Sequence, residues 1–186
     1  MIILRKFTTI KLPRVFFDIS VNEKEIGRLV FELRSDIAPK TTENFRVLCI
    51  GGAGSTKCGV RKTYKGSVIH RIVPGLLIQG GDYTKNNGTG GESIYNSKFN
   101  DESFILEHGE PGILSMANSG PNSNGSQFFI TTIPCPKFNG KYVAFGKVVK
   151  GLDVLEIIEA QGTENGVPYS KVLICDSGEI SSDDDS

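Results

Sequence analysis

Residues 114–131, LSMANSGPNSNGSQFFIT, place eleven small or amide-bearing residues between two apolar runs. The flanking Leu, Met, Phe and Ile side chains favour burial, so the polar tract is expected to be held at both ends. Asn118, Asn122, Asn124 and Gln127 can each donate and accept hydrogen bonds, and every peptide unit offers one donor and one acceptor. The segment therefore predicts a surface that binds a peptide, with an ordinary long loop as the alternative.

Composition narrows the class of protein. The chain has 186 residues and a mass of 20.2 kDa, and this length is that of a single domain of roughly 100–200 residues. Twenty-one basic and 21 acidic residues give zero net charge, so the chain has no excess positive charge that would attract nucleic acid. The apolar runs are shorter than the roughly 18–20 residues that span a bilayer, and the N-terminal MIIL is too short for a secretory signal. We expect no nucleic-acid or membrane partner and an intracellular protein, cytoplasmic or nuclear.

The two ends differ in composition from the middle. Residues 1–14 carry four basic and no acidic side chains and are interpreted as an N-terminal extension. Mitochondrial presequences share that composition, but a mitochondrial location is the less favoured reading. Residues 15–180 form the expected domain, and residues 181–186 form an acidic tail or the cut edge of a longer chain.

Strand patterns dominate the middle of the chain. Alternating or short β-branched and aromatic runs predict eight strands, at 15–21, 27–33, 67–73, 76–79, 112–116, 127–131, 142–149 and 171–175. One helix is predicted from Pro39 towards Gly51, and a second over 153–160 with Gly162 as a left-handed cap. Many strands with two helices favour an antiparallel barrel.

Few residues carry conventional catalytic patterns. Arg71 lies in an apolar run, where it either extends from the surface of a barrel or is held in a pocket. His70 and His108 lack the neighbours of a nucleophilic triad and are interpreted as structural histidines with satisfied hydrogen bonds. No metal-binding pattern is present, and the glycine-rich 51–59 segment departs from a phosphate loop, so we expect neither a metal nor a cofactor.

Four ordered motifs resemble one family. FFDI at 16–19, PKTTENFR at 39–46, YKGSVIHRIVPG at 64–75 and IQGGDYTKNNGTGGESIY at 78–95, together with the opening segment, are similar to the cyclophilins, and the resemblance covers residues 15–180. It implies a mainly β fold, a closed eight-stranded antiparallel β-barrel capped by two helices. It also implies peptidyl-prolyl cis–trans isomerase activity on proline-containing peptides and proteins, and a monomer.

The same resemblance implies the roles of individual residues. Arg71 would be the catalytic residue, stabilising the twisted imide. Substrate would contact an apolar socket and an adjoining groove, at Leu76, Leu77, Gln79, Gly88, Ala117, Asn118, Ser119, Gln127, Phe129, Lys137, Phe138 and Tyr142.

Some of these positions depart from the family pattern. Leu76 and Leu77 stand where relatives have Phe-Met, Lys137 stands where many have tryptophan, and Tyr142 replaces a histidine. The tryptophan usually contacts cyclosporin, so we expect cyclosporin binding to be weakened. A catalytically weak module that binds proline motifs within a larger assembly is the alternative function.

The segment GGAGSTKCGVRKT at 51–63 is longer than in the smallest cyclophilins and is similar to the loop of the divergent-loop subgroup. By that resemblance Glu92 would hold the loop, and Cys49 and Cys175 would be a candidate redox pair, with plain core packing as the alternative. The loop could instead bind a partner protein, a third hypothesis.

Overall fold

The computed structural model describes residues 11–181. These residues form eight strands, two helices and one 3₁₀ turn. The strands are β1 (Arg14–Val21), β2 (Lys24–Leu33), β3 (Arg71–Val73), β4 (Leu77–Gly80), β5 (Ile113–Met116), β6 (Phe128–Thr131), β7 (Ala144–Lys150) and β8 (Val172–Glu179). The helices are α1 (Pro39–Ile50) and α2 (Leu152–Glu159), and the 3₁₀ turn is Pro136–Phe138. All eight predicted strands and both predicted helices are therefore confirmed. Residues 1–10 of the extension predicted at 1–14, and residues 182–186 of the predicted acidic tail, lie outside the described residues.

The strands form one antiparallel sheet in the order β3-β4-β6-β5-β7-β2-β1-β8. The sheet curls into a half-barrel but stays open, so the prediction of a closed barrel is wrong. The two edge strands, β3 and β8, are not paired with each other. The segment that precedes β3 forms three backbone hydrogen bonds with β8: Gly66 N to Ile174 O, Ile174 N to Ser67 O and Ile69 N to Val172 O. These contacts form only an isolated bridge because the chain leaves β8 before β3 itself begins.

Local sequence explains where the helices begin and end. Pro39 occupies the first turn of α1, where its missing N–H is not needed. Gly51 ends α1 with φ of 70°, a left-handed conformation that glycine adopts without strain, and its N–H bonds Val47 O. The predicted left-handed cap at Gly162 is wrong, because α2 ends at Glu159 and its C-cap residue, Ala160, has a right-handed conformation. A Cβ on Gly162 would lie 2.6 Å from Ile72 Cγ2, so this glycine permits close packing instead.

The strands β3, β4, β6 and β5 have two faces with different neighbours. Ile72, Ile78, Ile130 and Leu114 lie opposite one another across these strands and belong to the hydrophobic core. The core also contains the inner ring cluster, defined as Phe17, Phe31, Phe45, Tyr64, Phe128 and Phe145, all of them fully buried. Because side chains alternate along a strand, the neighbouring residues project to the outer face of the sheet.

None of the helices formed by residues 11–181 combines the length and the apolar character that crossing a membrane requires.

Candidate functional site

The outer face of the sheet carries one row of chemically distinct residues. Arg71 of β3 lies opposite Gln79 of β4, Gln79 lies opposite Phe129 of β6, and Phe129 lies opposite Ser115 of β5. Residues directly opposite in antiparallel strands share a face and contact one another. The register therefore places a cation, an amide and an aromatic ring side by side.

A chain of hydrogen bonds orients Arg71. Its Nη1 donates to Gln79 Oε1 at 3.4 Å, and Gln79 Nε2 donates to Gln127 Oε1 at 3.1 Å. Gln127 Nε2 in turn donates to the carbonyl oxygens of Gly88 and Gly90, at 2.8 and 2.9 Å. The oxygen and the nitrogen of the Gln79 side-chain amide thus each have a partner. The guanidinium itself is exposed, and its other N–H groups make no hydrogen bond within residues 11–181.

Buried Asp82 organises the loop that supplies those two carbonyl groups. Its Oδ2 accepts hydrogen bonds from the N–H groups of Asn87, Gly88 and Gly90, and its Oδ1 from Thr84 and Lys85. Burial alone would raise the pKa of this carboxyl. The hydrogen bonds outweigh burial and lower its pKa to about 2. Asp82 is not among the residues predicted from the sequence; its only signal there is an acidic residue that opens a glycine-rich turn.

The residues predicted to form an apolar socket lie close to Arg71 on the outer face. Leu77 is 6% exposed and Phe129 3% exposed, yet neither belongs to the main core, because both face outwards. The Phe129 ring centroid is 5.3 Å from those of Phe138 and Tyr142 and 5.8 Å from that of His108. These four residues are named the outer ring cluster. Leu76 is half-buried and precedes β4, and its carbonyl oxygen accepts a hydrogen bond from Thr132 N.

His108 is the fully buried end of the outer ring cluster and is a structural histidine, as predicted. It stacks on Phe129 with an interplanar angle of 14°. Its Nδ1 donates to Asn139 Oδ1 at 2.9 Å, which leaves Nε2 to accept from Ser115 Oγ at 3.0 Å. Burial lowers the pKa of His108, so this neutral tautomer is favoured.

His70 differs from that prediction. Its Nδ1 is buried and makes no hydrogen bond to the described residues. The ring lies against Gly88, where a Cβ would sit 2.8 Å from Nε2. Burial lowers the pKa of His70, and the neighbouring Arg71 acts in the same direction. His70 therefore packs under the loop of Asp82 with one nitrogen unsatisfied.

A small pocket of about 120 Å³ adjoins the row. The predicted groove residues Gln79, Gly88, Ala117, Asn118, Ser119 and Gln127 all line it. Lys98, which the sequence analysis missed, lines it too and is its one charged residue. Its Nζ lies near Gly125, at 3.2 Å from a Cβ built there, and Lys98 forms no ion pair within residues 11–181.

The side-chain amide of Asn118, a predicted substrate-binding residue, is hydrogen-bonded to other residues of the protein. Its Nδ2 donates to Lys141 O at 2.9 Å and its Oδ1 accepts from Gly120 N at 3.2 Å. By contrast, the backbone N–H and C=O of Asn118 make no hydrogen bond to other described residues. The side-chain amide of Asn118 thus has partners among the described residues, and its backbone groups do not.

Lys137 lies in the 3₁₀ turn at the edge of the outer ring cluster. Its Nζ is 5.5 Å from the ring centroid of Phe138, the next residue. A cation over a ring face is attracted to it, but the ammonium cannot supply the flat apolar surface of an indole. The rim of the socket is consequently charged at this position.

Lys62 ties the 51–63 loop to the segment that contains Glu92. Lys62 is 1% exposed, and its Nζ donates to Ser93 O at 3.0 Å and to Asn96 Oδ1 at 2.6 Å. Glu92 Oε2 lies 3.6 Å from the same ammonium. The geometry brings Glu92 to the loop through a buried lysine.

Cys49 and Cys175 are both free thiols, on α1 and β8 respectively. Burial raises the pKa of Cys49 well above its ordinary value, which disfavours the reactive thiolate. Cys175 Sγ donates to Asp18 O at 3.2 Å. Among residues 11–181, no group of three or more His, Cys, Asp or Glu side chains could hold a metal ion.

One comparison with known proteins agrees with this geometry. The family model described as cyclophilin type peptidyl-prolyl cis-trans isomerase/CLD matches residues 16–179. The match covers most of the chain and includes every strand and loop that forms the site. The chain belongs to this family.

Proposed function

We propose that this member of the cyclophilin-type isomerase family accelerates rotation about X–Pro bonds in extended peptides and proteins, with Arg71 as its catalytic residue. The family supports isomerase activity in general. The observation that supports the specific mechanism is the row on the outer face, where the free end of an oriented guanidinium adjoins an apolar socket.

The reaction requires no bond to be made or broken in the backbone. Rotation about the amide faces a barrier of about 18–20 kcal/mol because the C–N bond has partial double-bond character. In the twisted state the nitrogen lone pair is no longer shared with the carbonyl and can accept a hydrogen bond. Groups that bind this state better than the planar one lower the barrier, and each 1.4 kcal/mol gives about a tenfold rate.

Each part of the site has a step in that scheme. The proline ring enters the socket of Leu77 and Phe129, and the free N–H groups of Arg71 donate to the pyramidal nitrogen. The backbone N–H and C=O of Asn118 pair with the peptide backbone, in the manner of an added strand. Gln79 and Gln127 hold the guanidinium in place, so that little reorganisation is needed when the amide twists.

The test is cis–trans exchange of an Ala-Pro peptide measured by NMR. We expect Arg71→Ala to slow catalysed exchange by about 10²–10³-fold, as for loss of one donor to a developing charge. Arg71→Lys should retain only part of the parent's catalysed exchange rate, because an ammonium lacks the planar fork of donors. Arg61→Ala, an exposed arginine on the 51–63 loop, is the matched control and should leave exchange unchanged.

Two outcomes would contradict the proposal. Peptide binding without measurable exchange would identify a module that only recognises proline motifs. Exchange that survives Arg71→Ala would move catalysis to another residue. Each variant's ¹H–¹⁵N spectrum should be compared with that of the parent to show that the fold is retained.

A further inference from the structure

A second depression lies beyond Asn118 and differs from the polar pocket. Its volume is about 600 Å³. The rings of Phe104, Pro121 and Tyr142 line it, together with Asn118, Asp101 and Lys141. Phe104 is 42% exposed, and the neighbouring Ile105 is 75% exposed. Large apolar side chains so exposed beside a concavity are typical of a binding surface.

The depression is continuous with the proposed substrate groove. Asn118 lines both the polar pocket and the depression, and its unpaired backbone groups lie at their junction. Tyr142 joins the depression to the socket, because its ring also contacts Phe129 at a centroid distance of 5.3 Å. An extended peptide advances about 3.3 Å per residue. A peptide with its proline against Phe129 thus reaches the depression within two or three residues.

Two polar side chains that line the depression, those of Asp101 and Asn118, already have hydrogen-bond partners. Asp101 Oδ2 accepts from Asn122 N at 2.9 Å, and its Oδ1 accepts from Asn124 Nδ2 at 2.8 Å. The Asn118 amide is held by Lys141 O and Gly120 N. The alkyl stem of Lys141 can cover an apolar ligand while its ammonium remains in water. The side chains of Asp101 and Asn118 therefore already have hydrogen-bond partners, and the rings of Phe104, Pro121 and Tyr142 provide the apolar contact.

We propose that this depression binds a large apolar side chain of the substrate itself, two or three residues from the proline. The inference rests on the proposed function, since it takes the groove as the path of the peptide. It names the substrate class more narrowly: proline segments with a Leu- or Phe-sized residue at that spacing. It assigns Phe104 as a residue that determines specificity and that does not touch the reacting bond.

The test uses one short peptide, Ala-Ala-Pro-Ala, and a set of longer polar peptides with a single leucine at each position from three before to three after the proline. We expect a leucine at one of the positions two or three residues away to lower Kd about tenfold relative to serine. Phe104→Ser should abolish that gain and leave kcat/KM for the short peptide unchanged. Ile157→Ser, equally exposed on α2, is the matched control and should retain the gain.

Several results would overturn the inference. Equal affinity for all leucine positions, or a gain that persists in Phe104→Ser, would exclude the depression as a subsite. A dimer that dissociates in Phe104→Ser would show that a second copy covers this face. Absence of exchange with every peptide would refute the isomerase proposal alone, because Kd from NMR titration still tests the depression.

Discussion

The inner and outer ring clusters use similar residues for different purposes. In the inner cluster, Phe45 has its ring centroid 5.0–5.9 Å from five other rings, and every member is fully buried. In the outer cluster, Phe129 has three ring neighbours, and its partners Phe138 and Tyr142 are only half-buried. The two clusters meet at β6, where Phe128 belongs to the core and the adjacent Phe129 faces outwards.

The difference lies in what completes the packing. The inner rings exclude water completely, and the one hydroxyl among them, on Tyr64, donates to Ser126 O at 2.7 Å. The outer rings Phe138 and Tyr142 remain partly exposed, and hydrogen bonds with Asn139 and Ser115 hold the His108 ring of this cluster. Apolar burial stabilises the fold, whereas hydrogen bonds hold a surface that remains open for a ligand.

Truncating one ring in each cluster should give the largest difference in the free energy of unfolding. Phe45→Ala removes a ring with five aromatic neighbours and should lower the free energy of unfolding by about 3–5 kcal/mol. Phe138→Ala should lower it by about 1–2 kcal/mol and raise KM for a proline peptide, because part of the ring is already in water. Urea unfolding and NMR exchange measure the two effects. Equal losses of stability would show that the outer cluster is part of the core.

Asp82→Asn tests whether polar contacts support the outer face. An amide group cannot accept all of the hydrogen bonds that the carboxylate accepts, so we expect a loss of about 2–3 kcal/mol in unfolding free energy. The folded pKa of about 2 lies below the ordinary 3.8. This contribution is therefore present above about pH 4 and is lost as the pH falls towards 2.

The measurement is urea unfolding between pH 6 and pH 2. The parent protein should lose stability in acid more steeply than Asp82→Asn. Asp153→Asn, at an exposed position in α2, is the control and should keep the parent's profile. Parallel acid profiles for the parent and Asp82→Asn would contradict the role assigned to this carboxylate.

Lys137→Trp alters only the rim of the outer cluster. An indole provides flat apolar area and an N–H donor, which the ammonium does not. We expect cyclosporin to bind the variant at least about tenfold more tightly than the parent, with the unfolding free energy nearly unchanged. Isothermal titration measures the affinity, and Lys150→Trp controls for a new surface ring. Nanomolar binding by the parent protein would show that Lys137 does not weaken the site.

The smallest expected effect is a dependence of stability on His108 protonation. Burial lowers its pKa in the folded state, so the unfolded chain takes up the proton first as the pH falls. The stabilisation is present above the ordinary pKa of 6.5 and declines below it. His108→Gln should show a shallower decline between pH 7 and pH 5 than the parent in urea unfolding. His70→Gln provides the comparison, since burial shifts the pKa of His70 in the same direction.

The strands that carry Leu77, Gln79 and Phe129 could be predicted because alternation depends on neighbours in sequence. The roles of these residues and of Arg71 were implied by the resemblance of their motifs to the cyclophilins. Asp82 and Lys98 could not be predicted in the same way. Their partners, the N–H groups of one turn and the pocket beside Gly125, become neighbours only when the loops fold back.

The sequence by itself determined the elements: eight strands, two helices, the proline and glycine that bound α1, and the family to which their order belongs. These follow from local periodicity and backbone preference, which act within a few residues. The tertiary structure decided that the sheet stays open, that His70 keeps an unsatisfied nitrogen, and that Phe104 lines a depression beside the groove. These depend on distant segments meeting, and the burial and hydrogen bonding of a side chain are set by those contacts.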